Sequence, residues 1–196
     1  MSSATPRRCD WCTNDPVYIR YHDEEWGVPV HNDNRLFEFL VLEGAQAGLS
    51  WLTILRKREG YREVFEGFDP ERLARWPDAS LERALTSPSI VRNRRKVFSV
   101  RQNALAVCEL RESGSTFTDF LWQYVEGQPQ LNNFASLEHV PAETPTSRTL
   151  SRDLKKRGFS FVGPTIMYAF MQATGMVNDH LTTCFLHHSQ SGNTRC

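Results

Sequence analysis

Apolar runs are short throughout this chain. None approaches the roughly 18 residues that a membrane-spanning helix needs, so no membrane class is expected. Net charge is missing too: 23 Lys and Arg balance 23 Asp and Glu, which argues against indiscriminate binding to polyanions. Cysteine is sparse and odd in number, five in 196 residues, a poor basis for a disulfide framework and a better fit to a reducing cytoplasm. No charged-then-apolar leader opens the sequence, so export is not expected. Convincing strand alternation and internal repeats are absent, and only the tails at residues 1–7 and 189–196 look frayed. What remains is a chain that is 40% hydrophobic, able to bury a good core as one domain or two closely fused lobes.

That chain reads as nearly all helix. Asp69-Pro70 is an N-cap followed by proline at the first helical position, and Asp78 can cap a short helix to about residue 85. A long helical pattern covers residues 89–112 and closes at Ser113-Gly114. Thr116 opens another, ending near Gly127, and residues 128–145 form a proline-rich connecting loop. Residues 148–157 read as a helix stopped by Gly158, residues 159–163 as a tight turn, and residues 164–174 as the next helix. Gly158 and Gly163 flank that turn and let its backbone approach a ligand. The N–H groups around Gly163-Pro164-Thr165 form a ready site for a DNA phosphate.

Three constellations carry chemistry. In the helical pattern that begins at Asp33, residues Leu36, Leu40, Glu43 and Ala47 fall on one line, so Glu43 points inward while Glu38 sits elsewhere and reaches water. A buried carboxylate costs several kcal/mol unless paired, so it is either paired structurally or used at a site. Upstream, Trp11, Tyr18, Tyr21 and Trp26 crowd the first 26 residues, and Trp51 follows the Glu43 helix after Gly48-Leu49-Ser50. Rings with polar tips around an acid suit a planar, electron-poor or cationic ligand. Leu49, in the turn, is either a small core anchor or an apolar wedge for unstacked DNA.

His180 and Cys184 stand four apart, as two metal ligands on one helical face would. Cys9 and His22 offer two more, although Cys12, His31, His187 and His188 are equally available by spacing alone. Basic residues gather at Arg92, Arg94, Arg95, Lys96 and Arg101, and again at Arg148, Arg152, Lys155, Lys156 and Arg157. Such runs usually mark a solvated face, yet they also suit phosphates.

Four longer runs are collinear over about residues 9–184: Asp15-Pro-Val-Tyr-Ile-Arg-Tyr-His-Asp-Glu-Glu-Trp-Gly-Val-Pro29, Leu42-Glu-Gly-Ala-Gln-Ala-Gly-Leu-Ser-Trp51, Lys155-Lys-Arg-Gly-Phe-Ser-Phe-Val-Gly163 and Val177-Asn-Asp-His180. The chain thereby resembles bacterial 3-methyladenine DNA glycosylase I, of the helix-hairpin-helix DNA glycosylase superfamily. The resemblance implies an all-α fold, with the N-terminal arm tied to the C-terminus by one structural Zn2+ on Cys9, His22, His180 and Cys184. It selects Cys9 over Cys12. It implies a single glycosylase domain, with the helix-hairpin-helix at about residues 148–174. The base site would comprise Glu43 and Tyr21, ringed by Trp11, Tyr18, Trp26 and Trp51. DNA contacts would fall at Leu49, Gly158, Ser160, Gly163 and Thr165.

The implied partner is double-stranded DNA with alkylated bases, 3-methyladenine is the product, and the protein would be a cytoplasmic monomer. Asn178 stands where many superfamily members carry an aspartate, and Thr165 where strand-cutting members carry a lysine. A monofunctional, hydrolytic enzyme is therefore expected. Neither Asp23 nor Asp179 is assigned to activating water. The competing class is a non-catalytic, zinc-stapled module that stacks splayed bases, which leaves an inward Glu43 without purpose.

Overall fold

Strong caps set the helices. In the computed structural model, which describes residues 6–187, Asp15 accepts from Val17 N and opens α1 (Pro16–Glu24). Asn32 opens α2 (Asp33–Gln46), Ser50 opens α3 (Trp51–Val64) and Asp69 opens α4 (Pro70–Ala74). Next come α5 (Asp78–Ala84), α6 (Arg94–Glu112) and α7 (Phe117–Trp122), then α8 (Pro145–Lys156) and α9 (Pro164–Ala173). Four of the nine start on proline, whose fixed φ suits the first turn and whose missing N–H costs nothing there.

Several expected boundaries move. Pro77 occupies the cap position of α5, so Asp78 is its first helical residue rather than its cap. The long helix begins only at Arg94, because the Asn93 side chain caps it by accepting from Lys96 N. The pattern opened by Thr116 leaves the α-helix at Trp122 and tightens into a 3-10 turn over Gln123–Val125. The capping box of Thr144 and Ser147 starts α8 three residues earlier than the basic run suggests. Inside the expected loop, β1 (Gln130–Leu131) pairs in parallel with β2 (Val177–Asn178); two-residue strands are too short to show alternation. The tails expected to fray lie outside the described residues except for Pro6 and Arg7, and the Arg7 carbonyl accepts from Phe185 N at 2.9 Å.

α2 forms the axis of the molecule. It packs against α3, α6, α7 and α9, and every residue from Leu36 to Ala45 is buried. A helix enclosed on all faces has no single inward line. Glu38, expected to reach water, is therefore buried as well, held by Arg35 at 2.7 Å and Arg62 at 2.8 Å. Ala47, expected on the inward line, lies beyond the end of α2 and is exposed. Glu25, just after α1, joins the same network through a two-pronged contact with Arg58 at 2.6 and 2.8 Å and another with Arg35 at 2.6 Å. Together these pairs bolt the end of α1 to α2 and α3.

Burial pushes the Glu25 carboxyl up, but hydrogen bonding and charge from Arg58 outweigh it, and the group rests below its ordinary range. A lowered carboxyl contributes stability above its unfolded pKa and loses it as pH falls through the folded value. Arg58→Ala should destabilise the fold by roughly 2–4 kcal/mol at neutral pH. It should also flatten the acid limb of the stability profile, read by denaturant unfolding from pH 3 to 7. An unchanged midpoint would make the network ornamental.

Candidate functional site: an unpaired acid among aromatic rings, beside a metal-ligand cluster

Two buried carboxyl groups on α2 have opposite fates. Glu38 has its two arginines, whereas no hydrogen bond or ion pair reaches Glu43 among the described residues, although only 4% of it is exposed. Burial alone pushes the Glu43 carboxyl up to about 8, so the group is mostly neutral at pH 7. The line of residues that pointed to Glu43 would serve equally for any residue of this enclosed helix. Its missing partner is what marks it.

The rings gather beside it. Trp11 packs against Tyr18 at 5.6 Å, Tyr21 at 6.3 Å and Trp26 at 5.0 Å between centroids, and Trp51 lies 5.6 Å from Tyr21. α1 presents Tyr18 and Tyr21 one turn apart, and the Ser50 cap sets Trp51 as the first residue of α3. Tyr21 is buried, and burial raises its phenol well above the ordinary value, with Glu43 and Glu25 adding to the rise. The Trp51 indole approaches the Tyr21 hydroxyl closely enough to oppose part of that rise, yet without the geometry of a hydrogen bond. The indole N–H groups of Trp11 and Trp51 are buried with no acceptor among the described residues. Buried donors without partners are uncommon and mark places where a ligand can supply the acceptor.

Two of the expected base-site rings have visible work elsewhere. The Tyr18 hydroxyl accepts from Leu52 N at 3.2 Å and so ties α1 to the start of α3. Trp26 stands edge-on to the His180 ring at 4.7 Å, and Trp11 packs against the His22 ring at 5.3 Å, so the aromatic cluster adjoins the histidines.

Those histidines belong to a second, fully buried cluster. One ligand atom from each of Cys9, His22, His180 and Cys184 lies within 4.8 Å of the others, a group that can hold a metal ion. Cys9 Sγ to His180 Nδ1, Cys184 Sγ to His180 Nδ1 and Cys184 Sγ to His22 Nε2 are each 3.5 Å. A tetrahedral ion with nitrogen at about 2.0–2.1 Å and sulfur at about 2.3 Å has N···S edges of about 3.5 Å. The opposite ring nitrogens are fixed as donors: His22 Nδ1 to Asp23 at 2.8 Å, and His180 Nε2 to the Trp26 carbonyl at 3.1 Å. Hydrogen bonding to Cys184 and burial push the Cys9 thiol up, while Cys184, bonded by Cys9 and both imidazoles, is pushed down. Two sulfurs this close cannot both ionise without a cation between them.

Cys12 is half-buried and its Sγ turns to the Thr13 carbonyl, outside the cluster. His187 donates to the His180 carbonyl and faces Asn133, His31 stacks on Trp122, and His188 lies outside the described residues. The helix expected through His180 and Cys184 does not form. The segment is a series of turns, and Cys184 N bonds to the Leu181 carbonyl at 2.7 Å to bring the two ligands together.

The two basic runs separate in space. Arg94 pairs with Glu82 and Arg101 with Asp78, while Lys96 turns inward to carbonyls, so the first run is largely spent on structure. The second also pairs in part, Arg148 with Glu143 and Arg152 and Lys156 with Asp153, and it lines a cleft of about 490 Å3 between α8 and α9, bounded by Arg148, Ser151, Arg152, Lys155, Lys156 and Pro164. Gly158 turns at φ +85°, whereas Gly163 has an ordinary φ of −61° and open space where a side chain would stand. Thr165 and Leu49 are exposed, Leu49 to 40%. Sequence reasoning missed Asn103 of α6, and took Lys96 only as part of a basic run rather than as a clamp on the end of α2. Asn103 shares a helical stripe with the buried Val100 and Val107, the same kind of signal that exposed Glu43.

The fold has known counterparts. The family profile for methyladenine glycosylase matches residues 11–187. DNA-3-methyladenine glycosylase 1 of Escherichia coli (strain K12) is 48% identical over 177 residues, covering 90% of this chain and 95% of that one. A crystal structure of 3-methyladenine DNA glycosylase I superposes with a TM-score of 0.91 at 52% identity, over 92% of this chain and 100% of that chain. The Staphylococcus aureus enzyme, solved for the structural basis of its 3-methyladenine recognition, matches with a TM-score of 0.90 at 37% identity, over 94% and 98% of the two chains. This chain belongs to the methyladenine glycosylase family.

Glu43 stabilises the fold only while protonated, because its folded pKa lies above the unfolded value. That contribution is complete below about pH 4.5 and is lost as pH rises through about 8. Glu43→Gln should therefore gain in melting temperature relative to the parent between pH 5 and pH 9, by several degrees. Parallel curves for the two proteins would show that Glu43 is not desolvated.

Proposed function

We propose that this chain is a monofunctional DNA glycosylase that excises 3-methyladenine from alkylated duplex DNA by base flipping and hydrolysis of the N-glycosidic bond, in base excision repair. The observation that carries the reading is the unpartnered Glu43 carboxyl, buried beside Tyr21 and the unpartnered Trp11 and Trp51 indoles. Alkylation at N3 makes adenine cationic in the nucleotide, so its glycosidic bond is weakened and the base leaves without a general acid. Recognition and extraction are then the main tasks. Glu43 accepts from the exocyclic amine and, once ionised, complements the ring's charge. Tyr21 and Trp51 flank the base, with Trp11 behind them. Tyr18 and Trp26 hold these rings in place more than they stack on the ligand. Normal adenine lacks the charge and gains less.

The remaining residues fit hydrolysis. Thr165 offers no amine for a Schiff base, and Asn178 is taken up in bonding His180 N and the His187 carbonyl. Asp179 accepts from Asn132, Tyr168 and Gln172, and Asp23 binds Arg8 and His22, so both are structural acids. DNA phosphates dock at the start of α9, on the N–H of Thr165 beside Gly158, Ser160 and Gly163, with the α8 cations alongside. Leu49 fills the gap left in the base stack. The metal is one structural Zn2+, since four protein ligands leave no position for a catalytic water. The protein acts as a cytoplasmic monomer.

The direct test is to incubate the protein with duplex DNA treated with a simple methylating agent and identify the bases set free. Released 3-methyladenine is the expected result. Binding without any release would favour the non-catalytic module. Leu49→Ala should slow excision from duplex about tenfold while free-base affinity holds, because the exposed side chain contributes little to the core. One equivalent of zinc should co-purify. Cys184→Ser should lower the melting temperature by roughly 10 °C, and Cys12→Ser by far less. A metal-free protein of equal stability would remove zinc from the account.

A further inference from the structure

Asn103 is 3% exposed in the middle of α6, and its side chain is spent entirely on one residue of the α8–α9 turn. Its Oδ1 accepts from Ser160 N at 2.7 Å and its Nδ2 donates to the Ser160 carbonyl at 3.1 Å. The turn needs that support. Phe161 holds φ +57°, a left-handed conformation that costs a non-glycine residue on the order of 1 kcal/mol. Gln102 Nε2 adds a bond to the Gly158 carbonyl at 2.7 Å, also from α6.

Seven residues earlier on the same face of α6, Lys96 Nζ donates to the Ala45 and Ala47 carbonyls at 2.8 and 2.6 Å. Those carbonyls close α2 immediately after Glu43 and lead into Gly48-Leu49. α6 therefore grips the carboxylate helix with one hand and the turn with the other. The two gripped elements also touch. Gly44, next to Glu43, has no side chain, and a Cβ there would stand 3.1 Å from the Cβ of Phe161.

Resting on the glycosylase reading above, we propose that Asn103 is a positioning residue: it fixes the α8–α9 turn at one separation from the end of α2, so that phosphate and extruded base engage together. Free base needs only the pocket and is indifferent to the turn. A nucleotide in duplex DNA needs both, and a displacement of about 1 Å between two anchoring points can cost up to about a hundredfold in rate. Ser160 contributes through its backbone, which explains why its side chain carries no hydrogen bond among the described residues.

The test compares Asn103→Ala with the parent in three measurements: kcat and KM on methylated duplex, affinity for free 3-methyladenine, and melting temperature. Asn103→Ala should lower duplex kcat/KM by about tenfold or more, while free-base Kd moves by less than about twofold. Asn103→Asp keeps the acceptor for Ser160 N and should recover part of the loss. If Asn103→Ala folds poorly, Gly44→Ala disturbs the same contact from the α2 side and should give the same split on duplex against free base. Duplex excision and free-base binding falling in proportion, or neither changing, would overturn the positioning role. A parent protein that releases no methylated base would instead defeat the glycosylase reading, so the two failures are separable.

Discussion

The site depends on one buried carboxyl group, Glu43, that has no hydrogen-bond or ion-pair partner among the described residues. An ionised carboxylate in such a place costs several kcal/mol, and burial accordingly pushes its pKa up to about 8. Left alone, a pocket of this kind would collapse or recruit a nearby arginine. No arginine supplies that charge here: Arg35, Arg58 and Arg62 are all committed to Glu25 and Glu38. The salt-bridge network locks α1 and α3 to α2 around this unpaired acid.

The metal-ligand cluster extends the same logic to the rings. Cys9 lies two residues before Trp11, His22 follows Tyr21 directly, and the His180 ring meets Trp26 edge-on. Three of the four ligands therefore adjoin a ring of the aromatic cluster. An ion bound there would hold the N-terminal arm against residues 180–184 and, by the same contacts, would set the ring positions. Rings locked in this way are preorganised, so a flat ligand need not pay to order them. The α8–α9 turn and its basic cleft are built separately, and the turn meets the Glu43 helix through Gly44, Phe161 and α6.

Much of this was legible in the sequence, but sometimes for an incomplete reason. Helical spacing placed Glu43 inward, yet α2 is buried on every side, and the same spacing sent Glu38 to solvent where the structure buries it between arginines. Spacing reports a face. It does not report how many elements surround a helix or where partners come from. His180 and Cys184 were paired on a helical spacing that the backbone does not adopt; a turn at Leu181 brings them together instead. The basic run from Arg92 to Arg101 reads as a solvated face that also suits phosphates, but Lys96 caps α2 and Arg94 and Arg101 take acids from other segments. Such pairings join residues far apart in the chain and leave no periodic trace. The longer motifs succeeded because they carry several of these constraints together.

The central claim is that the buried acid and its rings form a selective pocket for an alkylated adenine. Tryptophan fluorescence reports on that pocket, since Trp11, Trp26 and Trp51 all line or adjoin it. Titrating 3-methyladenine and adenine in parallel, with the parent protein and with Glu43→Gln, measures selectivity without involving DNA. The account predicts saturable quenching by 3-methyladenine, affinity for adenine weaker by at least about tenfold, and a preference that shrinks in Glu43→Gln. Equal affinity for the two bases in the parent protein, or an undiminished preference without the carboxyl group, would contradict it.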